Sequence, residues 1–451
     1  MKRLQPHRQR FLLLVLRLYQ IVHTEGVWHL LRKLRRASSA QWSMTRQPRP
    51  QSVPAVDRPL TTQPQVLLVD QHLPTPDRDS GSLRQLNVML TLQTLGLQVT
   101  CAAANVAAPS ASHHLLAAHG IRCLSRPAVR SLAQHLATDG DRYQLVILSR
   151  ADVASALLPS VRQHCPQAKI VFDTVDLHFL REGRLAELHP HWSNRWLATL
   201  RQRQELALVA AADATLVVSP LEQELVQAHC PHAQVHRVSN IHQIEGSATP
   251  CAERHDLLFI GGFAHAPNAD AVRWLLRDIM PLVWATLPTL HCHIIGADPP
   301  ADLRALASER VSIHGHVPEV QAFFAHCRLS VAPLRYGAGV KGKINQSLAH
   351  GLPVVATPMA AEGMFLIDEE SVFIADTAPA FAAAIVRLYT DMNSWERLSR
   401  NGIRIMEQHF SVAAAQMALG QLINELRVPN AKNGNLIAQP SFLSPRHGES
   451  E

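Results

Sequence analysis

The chain is short of aromatic residues, at 5%, and of charge, at 18%. It also lacks any long apolar run. The longest near the start is Phe11 to Leu16, far below the roughly 20 residues that span a bilayer. With 47% apolar residues overall, this excludes wholesale disorder, a collagen-like chain and a multi-span membrane protein. Cysteine is sparse. The seven present are scattered and form no C-x-x-C, which argues against a disulfide framework or zinc knuckle and for a reducing, cytoplasmic compartment. There is no H-E-x-x-H, no G-x-S-x-G nucleophile elbow and no Walker A sequence, so the commonest zinc-hydrolase, serine-hydrolase and P-loop chemistries have no foothold. At roughly 100–200 residues per domain, 451 residues predict two or three domains.

The net charge of +7 is unevenly placed. Residues 1–60 hold twelve Lys/Arg against two acids, and the remainder holds 31 bases against 34 acids. The body is therefore nearly neutral, and no general nucleic-acid-binding surface is implied. Residues 9–36 predict one or two amphipathic helices. Leu12, Val15, Leu16 and Tyr19 share one face, and Trp28, Leu31 and Leu34 continue an apolar side opposite Arg32, Lys33, Arg35 and Arg36. Such a helix suits the anionic inner surface of a membrane; an ordinary helix packed on the body with solvated cations reads the same way. Residues 37–64 are rich in Ser, Gln and Pro and read as a linker.

From residue 65 the pattern repeats strand, turn, helix. VLLVD (66–70), LQVTC (97–101), QLVILS (144–149), KIVFDT (169–174), ATLVVS (214–219) and QVHRVS (234–239) are apolar runs of buried-strand type. Residues 240–255 have no period and predict a linker. The alternation restarts at DLLFIGG (256–262), followed by a helix from Asn268 that Pro281 is expected to end, and by strands at 291–296, 311–317, 329–334, 353–357 and 371–375. Residues 378–427 predict helices only. Two doubly wound α/β domains in tandem follow, with ligands expected at the carboxyl ends of the strands.

The segment LSVAPL-RYGAGVKGK-INQSLAHG joins a strand to a helix through a glycine-rich loop. Gly337, Gly339 and Gly342 let a ligand approach bare backbone, and Arg335, Lys341 and Lys343 add charge to the partial positive charge of the helix start. That combination suits a diphosphate. The same loop spells G-x-G-x-x-G, with Glu362 twenty residues after Gly342, so a nicotinamide-dependent oxidoreductase is the alternative on motif alone. A second anion-binding start is offered by Ser80 and Gly81. Asp77 and Asp79 beside them could hold a divalent metal, but they suit a solvated turn better. Asp176 and His178 stand at the end of a predicted strand, as a proton-transfer pair or a plain turn. The histidine pairs 291/293 and 314/316 follow from alternation along strands without a metal.

FIGGFAHAPNADAVRWLLRDIMPLV, HIIGADPP and the run from VSIHGHV to VVATPMAAEGM resemble the nucleotide-binding half of bacterial glycosyltransferases of the family 4, or group 1, type; PDRDSGSLRQLNVMLTLQTLGLQVT and VFDTVDLHFLRE agree with their first half. The resemblance spans about residues 65–425. It implies a GT-B fold: an acceptor domain at 65–240, a linker at 241–255, a nucleotide-sugar domain at 256–410, a terminal helix crossing back at 411–430 and a tail at 431–451, behind the basic extension 1–64. It implies a nucleotide-diphosphate sugar as co-substrate, with no resident cofactor or metal. Arg335, Gly337, Gly339, Lys341, Gly342 and Lys343, faced by Ser80 and Gly81, would hold the diphosphate. Gln346 and Glu362 would lie at the donor sugar or ribose, and the catalytic residues would be Glu362 with Asp176 and His178, the last two lining the acceptor side. The acceptor would be a growing, lipid-linked glycan of a surface polysaccharide (lipopolysaccharide, O-antigen, capsule or exopolysaccharide), met at the membrane through residues 9–36. Retention of anomeric configuration is the family's pattern. One departure stands out. Where many members carry two glutamates eight positions apart, this chain has Ala338 and Gln346. That keeps open a catalytically silent GT-B scaffold or glycan binder.

Overall fold

The computed structural model describes residues 63–429, apart from 77, 78, 189, 247 and 248. The basic helix expected at 9–36, the tail from 431 and Asp77 lie outside the described residues.

Two parallel sheets form the body. The first runs β3-β2-β1-β4-β5-β6-β7, from β1 (Gln65–Asp70), β2 (Gln98–Ala103), β3 (Arg122–Cys123), β4 (Tyr143–Ser149), β5 (Lys169–Asp173), β6 (Ala214–Val217) and β7 (Val235–Arg237). The second runs β10-β9-β8-β11-β12-β13, from β8 (His255–Ile260), β9 (Cys292–Ile295), β10 (Val311–Gly315), β11 (Cys327–Ala332), β12 (Val354–Ala356) and β13 (Phe373–Ile374). Every pairing is parallel. This is the doubly wound α/β plan read from the sequence.

The reason is burial on both faces. Along β1, Val66 and Leu68 enter one core layer while Leu67 and Val69 enter the layer on the opposite face. Helices must cover both, and the crossovers that parallel strands require supply them. In each sheet the order reverses between neighbours, at β1/β4 and at β8/β11. The crevice at such a switch point is where ligands bind in open α/β sheets.

Two details differ from expectation. Pro281 does not end its helix. Helix Ala266–Trp274 passes through a π-helical turn, Leu275–Ile279, into helix Met280–Thr286, with Pro281 in the first turn of that last piece. A wider turn moves the carbonyl that the proline ring would strike and uses up the position whose N–H is missing. The two-residue β3 also escaped the pattern, because two residues carry no period.

The final helix, Val412–Glu425, returns to the first sheet. Its Leu419, Leu422 and Ile423 are wholly buried in a core shared with Val66, Leu86 and Val99. Just before it, the His242 N–H donates to the Phe410 carbonyl at 2.8 Å.

Candidate functional site

The glycine-rich loop leaves the carboxyl end of β11 and ends at the helix Gly342–Ala349. Ile344 and Leu348 bury that helix, and Gly351 (φ +63°) turns the chain away after it. Helix Ser80–Thr94 opens from the first domain. Its cap is Asp79, whose carboxylate accepts the Ser82 N–H at 2.8 Å. The two helix starts touch. A Cβ on Gly342 would fall 2.3 Å from Ser80 Cβ, so only glycine permits this approach.

The loop tip reaches further into the first domain. Gly339 (φ +67°) would place a Cβ 3.1 Å from Asp176 Cβ. Arg184 bridges from helix His178–Leu188, donating to the Gly337 carbonyl at 2.9 Å and to Glu362 Oε1 at 2.8 Å. Asn240 reaches Asn345 at 3.4 Å. The loop is thus enclosed by the opposite domain rather than open to water.

Within this junction the charges are unevenly matched. Lys341 is 8% exposed and donates to the Gly339 carbonyl at 2.5 Å. Burial lowers its pKa to about 8, with Glu362 acting in the opposite sense. Lys343 donates to Asn268 Oδ1, and its Nζ sits 4.6 Å from the centre of the Phe259 ring. Burial, then the neighbouring Lys341, brings it down to about 7. Among the described residues no carboxylate pairs with Lys343. A half-buried cation without a counter-charge is costly, and an incoming anion would relieve that cost.

Asp176 follows Val175, whose backbone takes φ +63° at the strand end. It accepts from His178 Nε2 at 3.1 Å and from Arg181. Burial pushes its pKa up, but Arg181, His178 and Arg150 outweigh that and hold it well below the carboxylate range. His178 Nδ1 is buried with no partner. Glu205 accepts the His178 and Phe179 N–H groups and is raised to about 8 by burial. Glu222 accepts from Leu177 and Val218 and is raised to about 7 by burial. These two carboxyls fix the loop that carries Asp176.

The structure therefore brings together Ser80, Gly81, Asp176, His178, Gly337, Gly339, Lys341, Gly342, Lys343 and Glu362. Gln346 is half-buried one turn into the same helix, and Ala338 lies between the first two glycines of the loop. Arg335 stands apart. Its Nε pairs with Asp270 at 2.9 Å on the exposed rim. The sequence reading missed Arg184, Asn268 and His265, the last of which lies within electrostatic reach of Arg181, Lys343, Asp176 and Lys341. The signal for Arg184 was present: His178, Arg181 and Arg184 recur every three residues along one helix.

Residues 254–391 match the family described as Glycosyl transferases group 1. No curated relative matches the chain. Among solved structures, the sucrose-phosphate synthase of Thermosynechococcus elongatus superposes with a TM-score of 0.62 at 17% identity, over 81% of this chain and 99% of that one. HepE of Anabaena, solved with UDP and glucose, gives 0.60 at 14%, over 80% and 100%. A glycosyltransferase from Rickettsia africae gives 0.57 at 12%, over 83% and 100%. At these identities the likeness speaks for the fold.

Proposed function

We propose that this chain, a glycosyltransferase by the group 1 match of its second domain and GT-B in fold, moves a sugar from a nucleoside-diphosphate donor to a growing, lipid-linked surface glycan. The observation that carries the donor half is Lys343: a half-buried ammonium with no carboxylate partner, beside Lys341 and the amides of a helix start. When the glycosidic bond of the donor breaks, negative charge grows on the departing diphosphate. Cations and amides already aimed there stabilise it without reorganising. UDP, found in the HepE structure, is the nucleotide to try first.

Donor entry requires the domains to part, because Gly342 lies against Ser80 and Gly339 against Asp176. On the acceptor side, Asp176 and His178, paired through Nε2, would orient the attacking hydroxyl. Glu362, held by Arg184, would hydrogen-bond the donor sugar or ribose. Arg335 would reach the diphosphate only by leaving Asp270. The membrane reading gains support from the first domain. Trp192 and Trp196 are 57% and 44% exposed and line a surface cavity of about 450 Å³ with Arg195. Aromatic rings beside a cation suit a headgroup layer. Among the described residues no helix is long and apolar enough to cross a membrane.

The decisive test is Lys343→Met in a folded protein. Donor turnover should fall on the order of a hundredfold, the scale of losing one transition-state donor. Unchanged kcat/KM would refute the assignment. A second reading rests on Ala338 and Gln346, where many members carry glutamates: a glycan-binding protein without turnover. Slow hydrolysis of UDP-sugars without acceptor separates the two, since a silent protein shows none.

A further inference from the structure

The strand starts of the second sheet, at the end away from the cleft, carry a histidine cluster that sugar transfer does not use. Asp256 is the second residue of β8, His293 the second of β9, and His326 the last of helix Gln321–His326. Parallel pairing sets Leu258 opposite His293, so Asp256, two residues earlier on β8, is a diagonal neighbour of His293, and the helix end delivers the third residue just ahead of β11.

Asp256 Oδ2 lies 3.3 Å from His293 Nε2 and 3.2 Å from His326 Nε2. All three ligand atoms fall within 4.8 Å of one another. A tetrahedral zinc ion with bonds near 2.0–2.1 Å sets neighbouring ligand atoms about 3.3 Å apart. Both oxygen–nitrogen separations already have that value. The remaining nitrogen–nitrogen gap can close by rotation of His326, whose side chain is 53% exposed. A further contact has the form of an outer-shell partner. His293 Nδ1 is hydrogen-bonded to His314 Nε2 at 3.0 Å, which fixes the ring with Nε2 towards Asp256. Metal-bound histidines are oriented this way through their other nitrogen. Two imidazoles and one carboxylate suit zinc rather than calcium or magnesium, which take oxygen ligands.

We propose that Asp256, His293 and His326 form a zinc site, with His314 as the residue that orients His293 and water in the fourth position. The ion would pin the Gln321–His326 helix to β8 and β9. Alternation along strands accounts for His293 and His314 sharing a face; it does not account for Asp256 and His326 closing on them from two other elements.

The test uses the full chain, stripped of metal with a chelator and titrated with zinc chloride by calorimetry at neutral pH, in parallel with cobalt(II) by visible absorption. The wild type should take up one tight equivalent and give tetrahedral cobalt bands. His326→Ala, at an exposed position, and Asp256→Asn, an isosteric change, should each weaken that equivalent by about tenfold or more and abolish the bands. His114→Ala, on the exposed surface of the first domain, should change neither. Absence of a tight equivalent, or one that survives both variants and so resides elsewhere among the 26 histidines, overturns the proposal.

Discussion

Binding of a nucleoside-diphosphate sugar should take up protons, and the uptake should grow with pH. In the free protein Lys343 titrates at about 7 and Lys341 at about 8. At pH 8 the first is then mostly neutral and the second half neutral. A bound diphosphate offers the counter-charge that Lys343 lacks, so both become cationic in the complex. The expected uptake is on the order of one proton per donor at pH 8 and close to none at pH 6. The sign follows from the direction of the shifts. Both groups are depressed in the free protein and restored by the anion, so affinity is highest at low pH and falls as pH rises through 7. Binding should be weaker at pH 8 than at pH 6 by on the order of tenfold, or roughly 1–2 kcal/mol. UDP-glucose is the appropriate probe, because its diphosphate is esterified at both ends and does not titrate in this range. Calorimetry at each pH in two buffers of differing protonation enthalpy, neither of them phosphate, reads the proton count directly. Lys343→Met should lower the uptake at pH 8 clearly, by roughly half or more. An uptake equal at the two pH values, or unaltered in Lys343→Met, would refute the reasoning.

Other outcomes follow from the same contacts. Gly342→Ala must move Ser80 aside and should hold the two domains apart, raising the radius of gyration in solution scattering and lowering turnover while the circular dichroism spectrum is kept. Gln346→Glu puts a charged acceptor at a position where many group 1 glycosyltransferases resembling this chain carry a glutamate, and should lower the KM for donor about fivefold, the ~1 kcal/mol by which a charged hydrogen bond exceeds a neutral one. Arg84→Met leaves Asp173 buried without the guanidinium that pairs with it at 2.8 Å, and should cost roughly 3–5 kcal/mol in urea denaturation.

Much of the architecture was legible because strands buried on both faces are continuous apolar runs, and continuous runs stand out in a sequence. KIVFD and LLFI announced themselves; Arg122–Cys123 could not. The glycines and lysines of the loop were legible as a local cluster, since the strand, the bend and the helix start are contiguous. What the sequence withheld was distance between parts far apart in the chain. Arg335 is drawn to Asp270, 65 residues earlier. Arg184 meets Glu362 from 178 residues away. The enclosure of the loop arises only when the second domain closes on the first; residue type gave the facing Ser80 and Gly81 but not the direct contacts of Gly342 with Ser80 and of Gly339 with Asp176. Asp173, adjacent in sequence to the strand-end group, is consumed by Arg84 and belongs to the scaffold.

The return of the Val412–Glu425 helix has a consequence for biosynthesis. The domain that a ribosome delivers first has part of its interior wall encoded near residue 420. Until Leu419, Leu422 and Ile423 emerge, Leu86 and Val99 face water on that side. The nascent first half must therefore wait, incompletely sheltered, through synthesis of the whole second half, and its final cooperative locking comes last.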